Sequence, residues 1–192
     1  MAKLKVQTGT DNPILRQRSE EVSDLRALTP ELSMKLSDLL KAMKKSIAAE
    51  KGLGLAAPQV GENLRTILVR IGADSDKEVL FIMVNPEILE MSASDHDLNS
   101  VTTEMVDAKE LPFGSEVGEE GCLSLPGSYV NVARASDIVV KFRDGSSLIK
   151  GRGGKRVEDL SEMVLELKGL NARVVQHEVD HLNGVLICDK GV

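Results

Sequence analysis

The sequence predicts a single α+β domain covering residues 1–192, and three observations carry that expectation. Apolar residues recur at spacings of three and four in two stretches, 32–47 and 170–181, which marks two amphipathic helices. Short β-branched runs at 65–71, 78–84 and 137–142 lie between them with turn residues at their ends, which marks strands. At 192 residues, with 42% hydrophobic and 28% charged, the chain suits one ordinary domain with a substantial core and neither a disordered nor a fibrous class.

The first helix is expected to start at Thr29-Pro30-Glu31, read as an N-cap, a proline at the first helical position and an acid that complements the helix dipole. Leu32, Leu36, Leu39, Leu40, Met43 and Ile47 then form an apolar stripe that Gly52 and Gly54 end. Lys35, Lys41, Lys44 and Lys45 fall largely off the stripe. Because Glu31 and Asp38 interrupt that charge, a core-facing helix with a solvated lysine face is preferred to a basic membrane helix. The runs 65–71 and 78–84 read as a hairpin, whose second strand Asn85-Pro86 should end because proline lacks the N–H that a ladder needs. Residues 92–118 carry weak periodicity, which leaves open a functional loop, a pair of strands or an insertion. Asp137–Phe142 reads as a strand turned by Asp144-Gly145, with Leu148-Ile149-Lys150 returning antiparallel. Residues 151–156 lack the terminal Gly-Lys-Ser/Thr of a phosphate loop and read as a flexible hairpin tip. The second helix is punctuated by Gly169 before it and Gly184 after it.

Lys and Arg total 24 against 30 Asp and Glu, a balance of −6 that provides no global positive field for DNA or anionic lipid. Two Cys make no disulfide framework, the opening residues lack the apolar core of a signal peptide, and no apolar run approaches a membrane span, so a reducing, cytoplasmic setting is expected.

The chemistry concentrates at His177-Glu178-Val179-Asp180-His181. Four helical residues advance by about 400°, which puts both imidazoles on one face about 6 Å apart along the axis, a spacing that chelates one cation. Glu178 sits one step round, off the metal yet within reach of a water that the metal polarises. The alternative is a solvated helix with coincidental histidines. A catalytic site usually takes a third protein donor. Ile187 stands where the extended zinc-protease pattern requires its third His, and none of the eleven residues after His181 is Glu. Cys122, Cys188, His96 and upstream carboxylates remain. In Glu120-Gly121-Cys122-Leu123-Ser124, ahead of Pro126-Gly127, Cys122 is expected in a bent loop rather than a packed strand and is favoured as the ligand. Cys188, in an apolar run, reads as a small buried hydrophobe, the commoner fate of a free Cys. A third unusual segment, Gly52-Leu53-Gly54-Leu55-Ala56-Ala57-Pro58-Gln59-Val60-Gly61, would let a ligand approach the backbone, with the Gln59 amide as a donor toward a carbonyl.

Taken together, G-L-G-L-A-A-P-Q-V-G, E-G-C-L-S and Q-H-E-V-D-H-L-N-G resemble the three signature motifs of the peptide deformylases, in the family's order, and Asp11–Arg16 is similar to the family's N-terminal segment. The resemblance implies a fold in which antiparallel or mixed sheets wrap a central helix carrying the His-Glu-x-x-His motif. It implies hydrolytic removal of the formyl group from the N-terminal formylmethionine of nascent polypeptides, with release of formate. Cys122, His177 and His181 would hold one divalent metal, Fe(II) in the cell, with Zn(II) or Ni(II) able to replace it. Glu178 would be general base and acid as metal-bound hydroxide attacks the formyl carbon, and Gln59 with the Leu123 N–H would stabilise the oxyanion. Leu53 and Gly54 would offer backbone hydrogen bonds to an extended peptide. Leu170 and Val174 would line the methionine slot, although Leu170 reads equally as plain core. Glu120, Arg134 and Gln176 would orient the ligands, Arg134 by pairing with Glu120.

The sequence departs from the common pattern where Tyr129 replaces a basic residue that steadies the peptide, and where 92–118 and 146–165 look long. Arg152, Lys155 and Arg156 form a local basic patch with two readings, contact with the ribosome near its tunnel exit or a solvated hairpin. His96 and Cys188 are expected to be bystanders to the metal.

Overall fold

A computed structural model describes residues 2–73, 76–91, 114–151 and 156–192. Its frame is a five-stranded antiparallel sheet in the order β1 (Gly54–Ala56), β2 (Thr66–Ile71), β3 (Val79–Met91), β6 (Asp137–Asp144), β7 (Glu162–Lys168). Between β3 and β6 in the chain, β4 (Ser115–Cys122) and β5 (Leu125–Ala135) form a separate antiparallel hairpin. The helices are α1 (Pro13–Arg16), α2 (Leu36–Glu50), α3 (Ser146–Ile149) and α4 (Gly169–Leu182). No described helix is long and apolar enough to cross a membrane.

Strand alternation sends side chains to two faces, and both are covered. Leu55, Leu68, Ile82 and Val84 pack with Leu39, Leu40, Met43 and Ile47 of α2. Ala56, Ile67, Val69, Met83 and Phe142 pack with Ala172, Val175, Val179 and Leu182 of α4. That double burial is why 67–69 reads as an unbroken apolar run rather than an alternation. The β4–β5 hairpin lies on the other side of α4, over a third cluster of Leu15, Cys122, Leu125, Val132, Leu186 and Ile187. The motif helix is therefore enclosed between sheet and hairpin, in keeping with the α+β expectation.

Several elements differ from the sequence reading. The helix expected at Thr29 begins instead at Leu36, because residues 29–34 close a separate turn. Ser33 takes φ 48°, its N–H reaches Thr29 O at 3.0 Å, and the Glu62 carboxyl accepts from the Glu31 and Leu32 N–H groups. A left-handed residue cannot continue a helix. Asn85-Pro86 does not end β3: the register slips between Val84 and Glu87, Asn85 takes φ 50°, and the strand runs on to Met91, the proline being tolerated at the bulge. Residues 148–150 make no return strand, since 146–149 is a helical turn, and the partner of β6 is β7. Cys188 is exposed rather than buried, with its thiol 3.8 Å from Arg16 Nη2. His96, Arg152 and Lys155 lie outside the described residues, as does most of 92–118. Arg156 is described and exposed, with Nε 3.9 Å from Glu158.

Candidate metal centre

β7 passes into α4 without a loop, turned at Gly169 (φ 54°), whose N–H donates to Ser136 O at 2.7 Å. The helix then presents His177 and His181 with ring centroids 5.0 Å apart. Opposite them, a register slip between Gly121 and Cys122 and a tight turn through Leu123-Ser124 pair Cys122 with Leu125. Cys122 is thus the last residue of β4 at a sharp turn rather than a loop residue, and it is buried. Its Sγ lies 3.2 Å from His181 Nε2, and the ligand atoms of Cys122, His177 and His181 all fall within 4.8 Å of one another.

Glu120 organises the hairpin side of this cluster. Its carboxylate takes a two-pronged pair with Arg134 (Nε–Oε1 and Nη2–Oε2 both 2.9 Å), a bond from Arg173 Nη1 at 2.8 Å and a contact with His177 Nδ1 at 2.9 Å. Arg134 also pairs with Asp180, the acid just before His181 in the motif, which Lys190 approaches at 3.5 Å. Burial alone would raise Glu120, but the hydrogen bonds from His177 and Arg134 outweigh it and hold the carboxyl far below the usual carboxylate range. Burial likewise opposes charge on His177, yet its hydrogen bonds to Cys122 and Glu120 push it up to about 10. His181, wholly buried beside His177, is held well below the ordinary histidine value.

The sheet side is different. Glu178 is 3% exposed, and its Oε2 has no hydrogen-bond partner among the described residues. Burial pushes it up to about 7. It fits only because residue 54 is glycine: a Cβ there would meet Glu178 Oε1 at 2.2 Å. Gln59, on a 3-10 turn over Ala57–Val60, is 1% exposed. Its Oε1 accepts from the Ala56 N–H at 2.8 Å, which orients Nε2 toward Ser124 Oγ (3.3 Å) and Cys122 Sγ (3.7 Å).

Among the remaining candidates, Leu123 occupies the turn between Cys122 and Ser124, and Leu53 O accepts from the Arg70 N–H at 2.8 Å. Val174 is buried in the α4–sheet cluster, while Leu170, one turn earlier, is 41% exposed and therefore not core. Gln176 binds the hairpin backbone at Ala135 through both amide atoms, 3.1 Å and 2.9 Å. Tyr129 is 70% exposed, and its ring flanks Gly121, where a Cβ would come within 3.1 Å of it. Sequence reasoning missed Arg173, Asp180 and Ser124. Arg173 ties α4 to the hairpin, donating also to Val132 O at 2.9 Å and Glu116 O at 2.7 Å. Its position four residues before His177, on the same helix face, was the available signal.

The residues fit a divalent metal. A thiol and two imidazoles suit zinc, iron or nickel alike. His177 commits Nδ1 to Glu120, which leaves Nε2 for the cluster, the outer arrangement that orients a metal-bound histidine. Binding of a cation by such a thiol and imidazole pair releases protons from the ligands.

The family model for polypeptide deformylase matches residues 5–191. The peptide deformylase of Dictyoglomus thermophilum is 39% identical over 181 residues, which cover 94% of this chain and 88% of that protein. The class I type b peptide deformylase of Acinetobacter baumannii, crystallised with actinonin, aligns over 100% of both chains with a TM-score of 0.70 at 30% identity. Its crystal structure with Met-Ala-Ser gives 0.69 at 30% identity, over 98% of each chain.

Proposed function

The chain belongs to the polypeptide deformylase family and is a hydrolase, and from that premise we propose that it removes the formyl group from the N-terminal formylmethionine of nascent polypeptides in the cytoplasm. The observation that carries this reading is the convergence of Cys122, His177 and His181 beside a buried Glu178 carboxyl whose Oε2 has no hydrogen-bond partner among the described residues. Cys122, His177 and His181 would hold one divalent ion, Fe(II) in the cell and Zn(II) or Ni(II) in preparations. That ion would supply Lewis acidity toward water and the formyl oxygen.

The residues of the chain account for the rest. Glu178 takes a proton from the attacking water and returns it to the departing amine nitrogen, so that formate and a free N-terminus result. A carboxyl pushed up to about 7 by burial is suited to both halves of that transfer. Gln59 Nε2, oriented because the Ala56 N–H donates to Oε1 of the same amide, and the Leu123 N–H stabilise the oxygen as negative charge develops on it, and one such donor is worth about 3–4 kcal/mol. Leu53 and Gly54 lie at the start of β1 and would pair with an extended peptide, while Leu170 and Val174 offer the methionine side chain an apolar wall. The complex of the Acinetobacter enzyme with Met-Ala-Ser supports a peptide of that kind as the product. Glu120, Arg134 and Gln176 hold the hairpin and His177 in place.

Formate release from a formyl-Met-Ala peptide, with casein left intact, is the expected result, and casein cleavage would instead favour a peptidase that cuts internal bonds. Arg152, Lys155 and Arg156 are the cations on which ribosome binding would turn, and neutralising all three should abolish co-sedimentation if that contact exists.

A further inference from the structure

Glu62 follows the Gln59 turn by three residues, is 0% exposed and takes no part in the reaction derived above. Its N–H donates to Ala57 O at 3.1 Å, which closes the turn that carries Gln59. Its carboxyl reaches the turn before α2, where Oε1 accepts from the Glu31 N–H at 3.2 Å and Oε2 from the Leu32 N–H at 3.0 Å. The tie is reciprocal, since Glu31 Oε2 accepts from the Asn63 N–H at 3.0 Å. The two carboxyl groups also meet each other. Carboxyl oxygens can share a hydrogen bond only when one carries a proton.

Among the described residues, the groups that act on the pair include no cation. Glu62 faces the Glu31 carboxyl, the Thr29 hydroxyl and the N–H groups of Glu31 and Leu32, while Glu31 faces Glu62 and the Asn63 N–H. The basic residue of the adjoining segment, Arg65, interacts with Arg18 and Glu21, and Asp38 in the first turn of α2 pairs with Lys41 at 3.5 Å. Two touching carboxylates, one of them fully buried and neither beside a cation, do not both stay ionised at low cost. Burial and the Glu31 contact push Glu62 up. Glu31, which reaches solvent, is lowered: the bonds from Glu62 and the Asn63 N–H outweigh its own desolvation.

We propose that Glu31 and Glu62 share one proton, and that this proton positions Gln59 by tying its turn to the start of α2. The Gln59 half rests on the deformylase reading, whereas the shared proton does not. Because the folded value of Glu62 is raised, its contribution to stability is present at acidic pH and lost as pH rises, whereas that of Glu31, whose folded value is lowered, is lost only as pH falls. In Glu31→Gln a carboxamide donates to Glu62 at any pH, and in Glu62→Gln one donates to Glu31.

The experiment compares the metal-loaded wild type with both variants. The wild-type thermal midpoint should fall relative to Glu31→Gln from about pH 5 to about pH 9, the gap opening by about 3 °C. Over the same range wild-type kcat on a formyl-Met peptide should fall about threefold relative to that variant at unchanged KM, because Gln59 acts on the developing charge rather than on binding. Midpoint curves that stay parallel in all three proteins overturn the shared proton. A midpoint gap with parallel kcat profiles overturns the positioning of Gln59. If none of the three releases formate, the deformylase reading fails, and the midpoint curves still decide the proton.

Discussion

The two sides of α4 each bury a glutamate, and they do opposite things with it. Toward the hairpin, Glu120 meets Arg134, Arg173 and His177, and its carboxyl is held ionised. Toward the sheet, Glu178 meets the backbone at Gly54 and has an oxygen without a partner, and its carboxyl is pushed up toward neutrality. A carboxylate saturated with cations is an anchor. A carboxyl whose burial outweighs the pull of nearby cations can exchange a proton near neutral pH, so the same residue type serves structure on one face and chemistry on the other.

Glu178→Ala tests that contrast most sharply. It should lower formate release by about 10²–10⁴-fold while metal content stays at the wild-type level, and unchanged turnover would remove Glu178 from the reaction. Glu120→Ala should do the reverse in kind. Buried Arg134 and half-buried Arg173 each lose a carboxylate partner, which should cost about 3–5 kcal/mol in a denaturant titration, and metal affinity should drop about 10–100-fold because His177 loses its support. If Glu120→Ala kept its metal and its stability, the anchor half of the comparison would fail.

Gly54→Ala probes how closely the sheet side is fitted. A Cβ placed 2.2 Å from Glu178 Oε1 must displace that carboxyl, so kcat should fall on the order of 10²-fold with the fold retained. The pH dependence of stability separates the two glutamates again. Glu120 has its folded value depressed, so its contribution is complete above the ordinary glutamate value of 4.5 and is lost as pH falls below it. Acid unfolding followed by circular dichroism should therefore have a shallower limb in Glu120→Gln than in the wild type. The smallest effect belongs to Cys188→Ser, an exposed thiol outside the group of ligand atoms, which should leave metal content and turnover unchanged.

Much of the site was legible because its signals are local. The His177–His181 spacing defines a chelating pair on any helix, and the stripe from Leu36 to Ile47 defines a buried face wherever the helix docks. β7 carried a readable alternation as well, with Met163, Leu165 and Leu167 more covered than Glu162, Glu166 and Lys168, but an exposed Val164 breaks it. The hairpin of β2 and β3 was equally plain, since both strands and their turn fall within one short stretch.

By itself, then, the sequence determined which residues could hold a metal, the two principal helices and the central strands, because each depends on neighbours within a few positions along the chain. Tertiary structure alone decided where α2 begins, since the carboxyl that holds the preceding turn comes from Glu62, about thirty residues downstream. It decided that Pro86 is absorbed in a bulge, that Cys188 faces solvent and Cys122 faces the histidines, and that Arg173 and Asp180 belong to the centre. Burial and charge pairing act through space, so a pattern along the chain cannot show that Glu120 would be bonded by two arginines while Glu178 keeps an oxygen without a partner among the described residues.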